Sequence, residues 1–429
     1  QLAGDDGGAA AHAIVKQLNP GDKLNLITFS TGVHLWQQEP QVVSKATLAD
    51  ANAWIDKIVA TGATDINRAL LEALGQVAEG DASRPAYVLF LTDGLPTQGE
   101  TDANSIVNNA VDNLPDERSV RLFTFGVGYD VNTDLLNTLS SDMGGRSTYV
   151  KPNQAIDEVV GALYNQIGKP VLANVDFALT GDARVDDVYP FPLPDLFAGE
   201  QMVVVGRYGN GGATDVRISG DINGEATTYV YPDQILAEAG GEPFVARLWA
   251  TRKIGALLGQ IRRDGPQQEL IDAVIDLSLE YGVVSPYTSY LVLEPGAGPE
   301  MPISQADSMQ MAAPREAAAL AGGAAIATAA AAPASGEVAV LNSEARAKLE
   351  TAGTVAEQNQ VRFVGGKTFV QRGWVEGADG AATELWVDTA YTAGAEPEVV
   401  PFASARYFDL AADDTVAKWL SVSPELILV

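Results

Sequence analysis

Apolar runs alternate with amphipathic stretches along the first 170 or so residues. Residues 9–18 (AAAHAIVKQL) read as the end of a helix, stopped by Asn19-Pro20-Gly21. Leu24 to Ser30 (LNLITFS) is almost continuously apolar, as expected of a strand covered on both faces, and Val33 to Trp36 supplies a short hairpin partner. Thr47 to Val59 carries Leu48, Ala51, Ile55 and Ile58 on one helical face. The alternation continues with a helix over Asp65 to Val77, a strand over Tyr87 to Thr92 and a helix over Asp102 to Leu114. A strand at Val120 to Val127, a helix at Thr133 to Leu139, a short strand at Ser147 to Val150 and a helix at Ile156 to Ile167 complete it. Strands and helices of these lengths in alternation predict an α/β fold with a doubly wound, Rossmann-like parallel sheet.

The grammar changes at Pro170. Short alternating runs such as ANVDFAL, QMVVVGRY, DVRISGDI and ATTYVYP, punctuated by Gly, Asn and Asp, predict a β-sandwich-like domain. Residues 243–281 return to helical periodicity, and Tyr290 to Glu294 (YLVLE) reads as a strand able to join the sandwich. An Ala/Gly/Pro-rich stretch then reads as linker. Beyond it, VRFVGGKTFVQRGWVE and TELWVDTAY predict hairpin strands, and ARYFDLAADDTVAKWLSV predicts helix. The expected domains are 1–168 (α/β), 169–295 (β-rich with a helical segment), 296–335 (linker) and 336–429 (a small α+β module).

Composition narrows the functional classes. The 429 residues carry a formal net charge of −29, which disfavours nucleic acid and anionic membranes. There is no cysteine, so disulfides, thiolate nucleophiles and cysteine-based zinc sites are excluded. A Ser-His-Asp triad or a His-rich metal site would have to use His12 or His34, the only two histidines, and both read as structural. No stretch is long and apolar enough to span a membrane as a helix.

The candidate chemistry lies in two loops. Thr64 follows Gly62-Ala63, and Asp93 follows the strand that ends in Leu91-Thr92, so both leave the same edge of the expected parallel sheet, where open α/β sheets bind ligands. A hydroxyl and a carboxylate there suit a hard divalent cation, which prefers oxygen. Each has a plain structural alternative. Thr64 could cap the following helix, and Asp93 could close a turn before Gly94. Asp65 reads as a charge in the first helical turn, and Asp5 and Asp6 as solvated helix charges.

The strand Leu24 to Ser30, the Gly62-Ala63-Thr64 turn and Leu91-Thr92-Asp93-Gly94 resemble the von Willebrand factor type A domain in order and spacing. Arg247-Leu248-Trp249-Ala250, Leu277 to Gly282 (LSLEYG) and Ser285-Pro286-Tyr287-Thr288-Ser289 resemble the region behind that domain in inter-alpha-trypsin inhibitor heavy chains and their bacterial relatives, which pair a VIT domain with a type A domain. The resemblance covers roughly residues 1–295. It implies a metal-ion-dependent adhesion site using Thr64 and Asp93, an Mg²⁺ or Mn²⁺ ion, and a protein partner whose acidic side chain completes the coordination. It implies a binding protein, not an enzyme, located outside the cell, at its surface or in the periplasm. Ala63 stands where a Gly is common in the family.

The family's first metal loop, Asp-x-Ser-x-Ser, is absent from this chain. By the usual spacing His12 falls mid-helix, so Gln1 would directly follow that loop, and the expectation is an N-terminal truncation. The family's first strand lies between the strands at Leu24 and Tyr87. Without it, two rows of backbone groups lose partners, and two loops alone would bind the cation weakly. The Asp-Pro-His-Phe-like site through which animal heavy chains attach to a glycosaminoglycan is also absent, so that role is not carried over.

Other motifs read as structure. Gly365-Gly366-Lys367-Thr368 mimics a phosphate loop but joins two strands, and Val361 stands where that loop needs Gly. Gly206 to Gly212 lies among sandwich strands with no helix following. Trp249, Trp374 and Trp386 read as core anchors, with Trp374 and Trp386 as an alternative interaction face. Two other functions stay open: an envelope scaffold with an incidental metal site, and a carboxylate-based hydrolase, which the poverty of histidine disfavours.

Overall fold

A computed structural model describes residues 6–59, 62–78, 84, 86–115, 119–167, 170–181, 183–197, 201–222, 224–238, 241–288, 333–353, 361–376, 382–391 and 398–429. The expected strand Tyr290 to Glu294 and most of the expected linker lie outside the described residues. The chain divides into two units, Gln1–Glu238 with Pro333–Ala345, and Ala239–Ala332 with Arg346–Val429.

In the first unit, β5 (Ala86–Thr92), β6 (Val120–Val127) and β7 (Ser147–Val150) form a parallel sheet in that order. Alternation along β5 and β6 sorts side chains to its two faces. Val120, Leu122, Ala86 and Phe90 pack with α3 (Ile66–Ala78), α4 (Ala103–Asp112) and α5 (Thr133–Asp142), through Ile66, Leu70, Leu74, Ile106 and Leu136. Phe123 and Phe125 face α1 (Asp6–Val15) and α6 (Ile156–Ile167) through Ala10, Ile156, Val160 and Leu163. Two helical layers on one parallel sheet are the doubly wound arrangement expected from the periodicity. Each Leu or Ile buried in these layers contributes about 2 kcal/mol.

The apolar run at Leu24 to Ser30 is broken where one strand was expected. β1 (Lys23–Leu24) pairs with β4 (Gln41–Val42), and β2 (Ile27–Phe29) with β3 (Val33–Leu35). Asn25 causes the break. Its Oδ1 accepts the Leu26 and Gln37 N–H groups, and its Nδ2 donates to the Gln37 carbonyl and to Gln76. Among the described residues β2 pairs with β3 alone and β5 with β6 alone, so the two strands do not share a sheet. Phe29 and Phe90 stack with ring centroids 5.3 Å apart.

His12 pins α1 to α2 (Lys45–Ile55): Nδ1 lies 2.6 Å from Asn52 Oδ1 and Nε2 lies 3.1 Å from Asp56 Oδ1. His34 is exposed on β3.

The rest of this unit is antiparallel. β8 (Pro170–Leu179), β10 (Leu196–Phe197), β12 (Gly212–Ile222) and β13 (Glu225–Leu236) form a sheet in the order β10-β8-β12-β13, and β9 (Val185–Tyr189) pairs with β11 (Val205–Tyr208). Arg121 on β6 clasps this region. Its Nε and Nη2 donate to both oxygens of the buried Asp195 at 2.8 and 2.9 Å, and Nη2 also donates to Asn174 Oδ1 at 2.7 Å. The paired ions are held by a bidentate geometry that suits guanidinium and carboxylate. Burial against this cluster pushes the Tyr87 hydroxyl far above its ordinary range, the Asp195 charge adding to the effect.

Residues Pro333–Ala345 also belong to this unit, carrying the first part of α9 (Glu337–Glu350). Thr133 N–H donates to Ala334 O, Gly336 N–H to Tyr129 O and Asn137 Nδ2 to Ser343 Oγ, while Lys151 pairs with Glu344 at 2.8 Å. Val340 is fully buried in the core of α3, α4 and α5.

The second unit groups the chain differently from the segments read off the sequence. The helices α7 (Pro243–Asp264) and α8 (Gln268–Tyr281) share a core with β14 (Val361–Val364) and β15 (Lys367–Glu376), through Ile254, Ile271, Val274, Val361 and Val370. The strands also cap α8. Thr389 Oγ1 donates to Leu279 O and Thr368 Oγ1 to Glu280 O, satisfying carbonyls left over at a helix end. Gly255 and Gly259 of α7 admit the end of α9: a Cβ at Gly255 would lie 2.8 Å from Glu350 N.

β14, β15, β16 (Ala382–Asp388) and β17 (Glu425–Ile427) form one sheet, with β17 parallel to β16. The C-terminal helical stretch is two short helices, α10 (Ala405–Ala411) and α11 (Asp414–Leu420), because Asp413 caps the second by accepting from Thr415 and Val416 N–H. Trp249 and Trp386 are buried core residues, while the side chain of Trp374 lies outside the described residues. Among the described residues no helix is long and apolar enough to cross a membrane.

Candidate functional site

Thr64 and Asp93 stand on two loops at the same edge of the first unit, and those loops are stitched together. Thr64 N–H donates to Thr97 Oγ1 at 2.9 Å, and the N–H groups of Thr97 and Gln98 both donate to Thr64 O. Asp65 N–H donates to Ser30 O at 3.0 Å, tying the Thr64 loop to the end of β2. Gly62, at φ +85°, turns the chain into this loop, where a side chain would be strained. The Thr64 side chain is buried beside the loop that follows β5: its Oγ1 lies 3.7 Å from where a Cβ on Gly94 would sit. The carboxylate oxygen Oδ1 of Asp93 is buried as well.

Two neighbours make a cap bond and a turn bond at these loops. The helix cap belongs to Asp65, whose Oδ1 accepts the Arg68 N–H at 3.0 Å while its carbonyl accepts from Ala69. The turn before Gly94 is closed by Thr92, whose Oγ1 accepts the Gly94 N–H at 3.3 Å. Asp65 is buried, and it stands one residue ahead of the helix whose first turn it caps. A Cβ at Gly99, which holds φ +68°, would come within 2.7 Å of both Asp65 carboxylate oxygens, so only glycine leaves room for this cap.

Thr97 and Gly99 were not singled out from sequence. The cue was available in the Pro96-Thr97-Gln98-Gly99 loop after Asp93, which has turn composition. The cap was ambiguous by one residue, because Thr64 and Asp65 are both capping residue types.

The side-chain groups on these loops offer oxygens: the Thr64 hydroxyl, the Asp93 carboxylate and, beside Gly62, the Ser30 and Thr31 hydroxyls. This chemistry fits a hard cation better than a soft one. Among the described residues there is no group of three or more His, Cys, Asp or Glu side chains able to hold a metal.

A family profile described as von Willebrand factor type A domain matches residues 7–149. The chain is 30% identical over 318 residues to inter-alpha-trypsin inhibitor heavy chain H2 of Sus scrofa, an alignment covering 69% of this chain and 33% of that protein. It is 31% identical over 304 residues to inter-alpha-trypsin inhibitor heavy chain H4 of Homo sapiens, covering 66% and 32%. The chain thus spans about a third of the length of these curated relatives. Among solved structures, von Willebrand factor type A from Catenulispora acidiphila aligns with a TM-score of 0.46 at 15% identity, covering 68% of this chain and 79% of that one.

Proposed function

The chain is a von Willebrand factor type A domain protein similar to inter-alpha-trypsin inhibitor heavy chains, and from that premise we propose that it binds a protein partner through a divalent cation. Thr64 and Asp93 would hold Mg²⁺ or Mn²⁺ in part, and an acidic side chain of the partner would complete the coordination. The ion, when bound, supplies a positive centre that draws in the partner's carboxylate. The chain's own residues shape the site: Asp65 and Thr92 make a cap bond and a turn bond, and Thr97 locks the two loops together. The stitching of the Thr64 loop to the loop that follows Asp93 is the observation carrying the reading. It keeps two loops that carry a hydroxyl and a carboxylate, both suited to a hard cation, next to each other. The role is binding and not turnover, and it would be exercised outside the cell, at its surface or in the periplasm.

Calorimetric titration of Mn²⁺ and Mg²⁺ into the protein tests it. One saturable site, weak in this chain and abolished by Asp93→Ala or Thr64→Val, is the expected result. Affinity should rise in a chain carrying an Asp-x-Ser-x-Ser loop upstream of Gln1. Heats that do not change with either substitution would sink the proposal. One observation favours a second reading, a scaffold with no working metal site: the described residues lack a three-carboxylate cluster. Under that reading, partner binding would persist unchanged in EDTA.

A further inference from the structure

The tail module presents an aromatic surface that the cation reading does not use. Phe402, Tyr407 and Phe408 form a continuous cluster, with ring centroids 5.1 Å apart for Phe402–Tyr407 and 5.6 Å for Tyr407–Phe408, both edge-on. Tyr407 is half-buried, but Phe402 is 59% exposed and Phe408 61% exposed. Val399, 63% exposed, follows Glu398, which takes a two-bond contact from Arg406 of α10, at 3.0 and 3.2 Å. Isolated exposed apolar residues are ordinary, whereas a cluster of large ones marks an interaction surface.

The cluster rests on a fixed support. Ser404 caps α10 by accepting the Tyr407 N–H. The next helix, α11, is anchored to the sheet by Trp419, whose Nε1 donates to Gly365 O at 3.0 Å and whose ring lies under Lys367. A Cβ at Gly365 would approach Trp419 Nε1 to 2.6 Å, so the Gly-Gly turn is a seat for this indole. The buried Trp386 belongs to the core, whereas α10 and the segment before it turn Phe408 and Phe402 outward.

Charge selects the partner. Residues 398–418 carry four carboxylates (Glu398, Asp409, Asp413 and Asp414) against two cations, Arg406 and Lys418. Arg406 is already engaged by Glu398. A second copy of this chain would bring the same acidic rim, and an anionic bilayer would be repelled by a chain of net charge −29. We propose that this face docks a cationic amphipathic segment of a partner protein, whose apolar anchors cover Phe402, Phe408 and Val399 and whose Lys or Arg residues face Asp409 and Asp414. Aromatic anchors would supply most of the affinity, and the charges most of the selectivity.

The test uses the full chain and two synthetic helical peptides with leucines on one face, flanked by lysines in one and by glutamates in the other. Fluorescence anisotropy should show saturable binding of the lysine peptide, weakening as salt rises, and no binding of the glutamate peptide. F408S and F402S, at exposed positions that leave the core intact, should each weaken binding about tenfold. The double substitution Asp409→Lys with Asp414→Lys keeps the aromatic cluster and should reverse the preference between the two peptides. Equal binding of both peptides, binding of neither, or an affinity unchanged by F408S would overturn the proposal. So would adhesion to phosphatidylserine vesicles or a concentration-dependent dimer that F408S abolishes. None of these readouts depends on divalent cation, so they are independent of the outcome at Thr64 and Asp93.

Discussion

The parallel-sheet core of the first unit and the helical core of the second are built from similar residues by opposite routes. Around β5 and β6 the core closes mostly between elements that follow one another in the chain, α3 leading into β5 and α4 into β6, joined by Val340 of α9. Around α7 and α8 it closes only when strands far downstream arrive, with Val361 and Val370 against Ile271 and Val274 and two threonine hydroxyls on the last carbonyls of α8. The first kind of core is announced by periodicity. The second places an apolar helix pair on the page without saying what covers it. The first unit also shows that local closure is not enough, because Arg121 and Asp195 join distant segments by charge.

Cutting that clasp should give the largest effect. Asp195→Ala leaves the Arg121 guanidinium part-buried without its carboxylate and should destabilise the first unit by about 3–5 kcal/mol in urea unfolding. A loss near zero would mean that the clasp adds nothing to a core already closed locally. Leu70→Ala, a cavity in the locally closed core, should cost about 3 kcal/mol in the same assay. Gly255→Val strikes the non-local core instead. It pushes a side chain into the backbone at Leu349 and Glu350, and should cost about 1–3 kcal/mol. The order of the last two is the sharper result: a costlier Gly255→Val would show that long-range closure is the tighter of the two.

A smaller change is local in character. Ser44→Ala removes the oxygen that caps α2 at Thr47 N–H and should cost about 1 kcal/mol, read from the same unfolding curves. The smallest compares matching caps in the two units. Asp102 of α4 and Asp413 of α11 are both held below the ordinary aspartate range, chiefly by a backbone N–H bond, from Ser105 in one and Val416 in the other. A depressed carboxylate favours the folded helix above its unfolded pKa, and that contribution fades as pH falls through the lowered folded value. NMR titration should find both midpoints below that of an unstructured Asp, and amide protection factors in the two first turns, each corrected for the intrinsic exchange rate, should fall together on acidification. A normal midpoint at only one would show that the caps are not equivalent.

The candidate site was half legible. Thr64 and Asp93 could be picked out because a Gly turn opens α3 and an LTDG segment ends β5, the strand that follows that helix. The bonds that Asp65, Thr92 and Thr97 make around them could not, since a cap or turn bond depends on one residue's register and on a loop thirty positions away. The break in the Leu24 to Ser30 run was equally hidden, because hydropathy does not see that the Asn25 side chain bonds Leu26, both backbone groups of Gln37 and Gln76 of α3.

By itself, then, the sequence determined the alternation of strands and helices, their order, the acidic character of the chain and the two loops able to offer hard oxygen ligands. These follow from periodicity, composition and turn chemistry, which act over a few residues. Only the tertiary structure decided that α7 and α8 belong with the tail strands, that Pro333–Ala345 returns to α5, that Arg121 holds Asp195, and that Trp386 is core while Phe402 and Phe408 face outward. Each of these depends on which distant surface buries a given side chain, and local pattern carries no record of that choice.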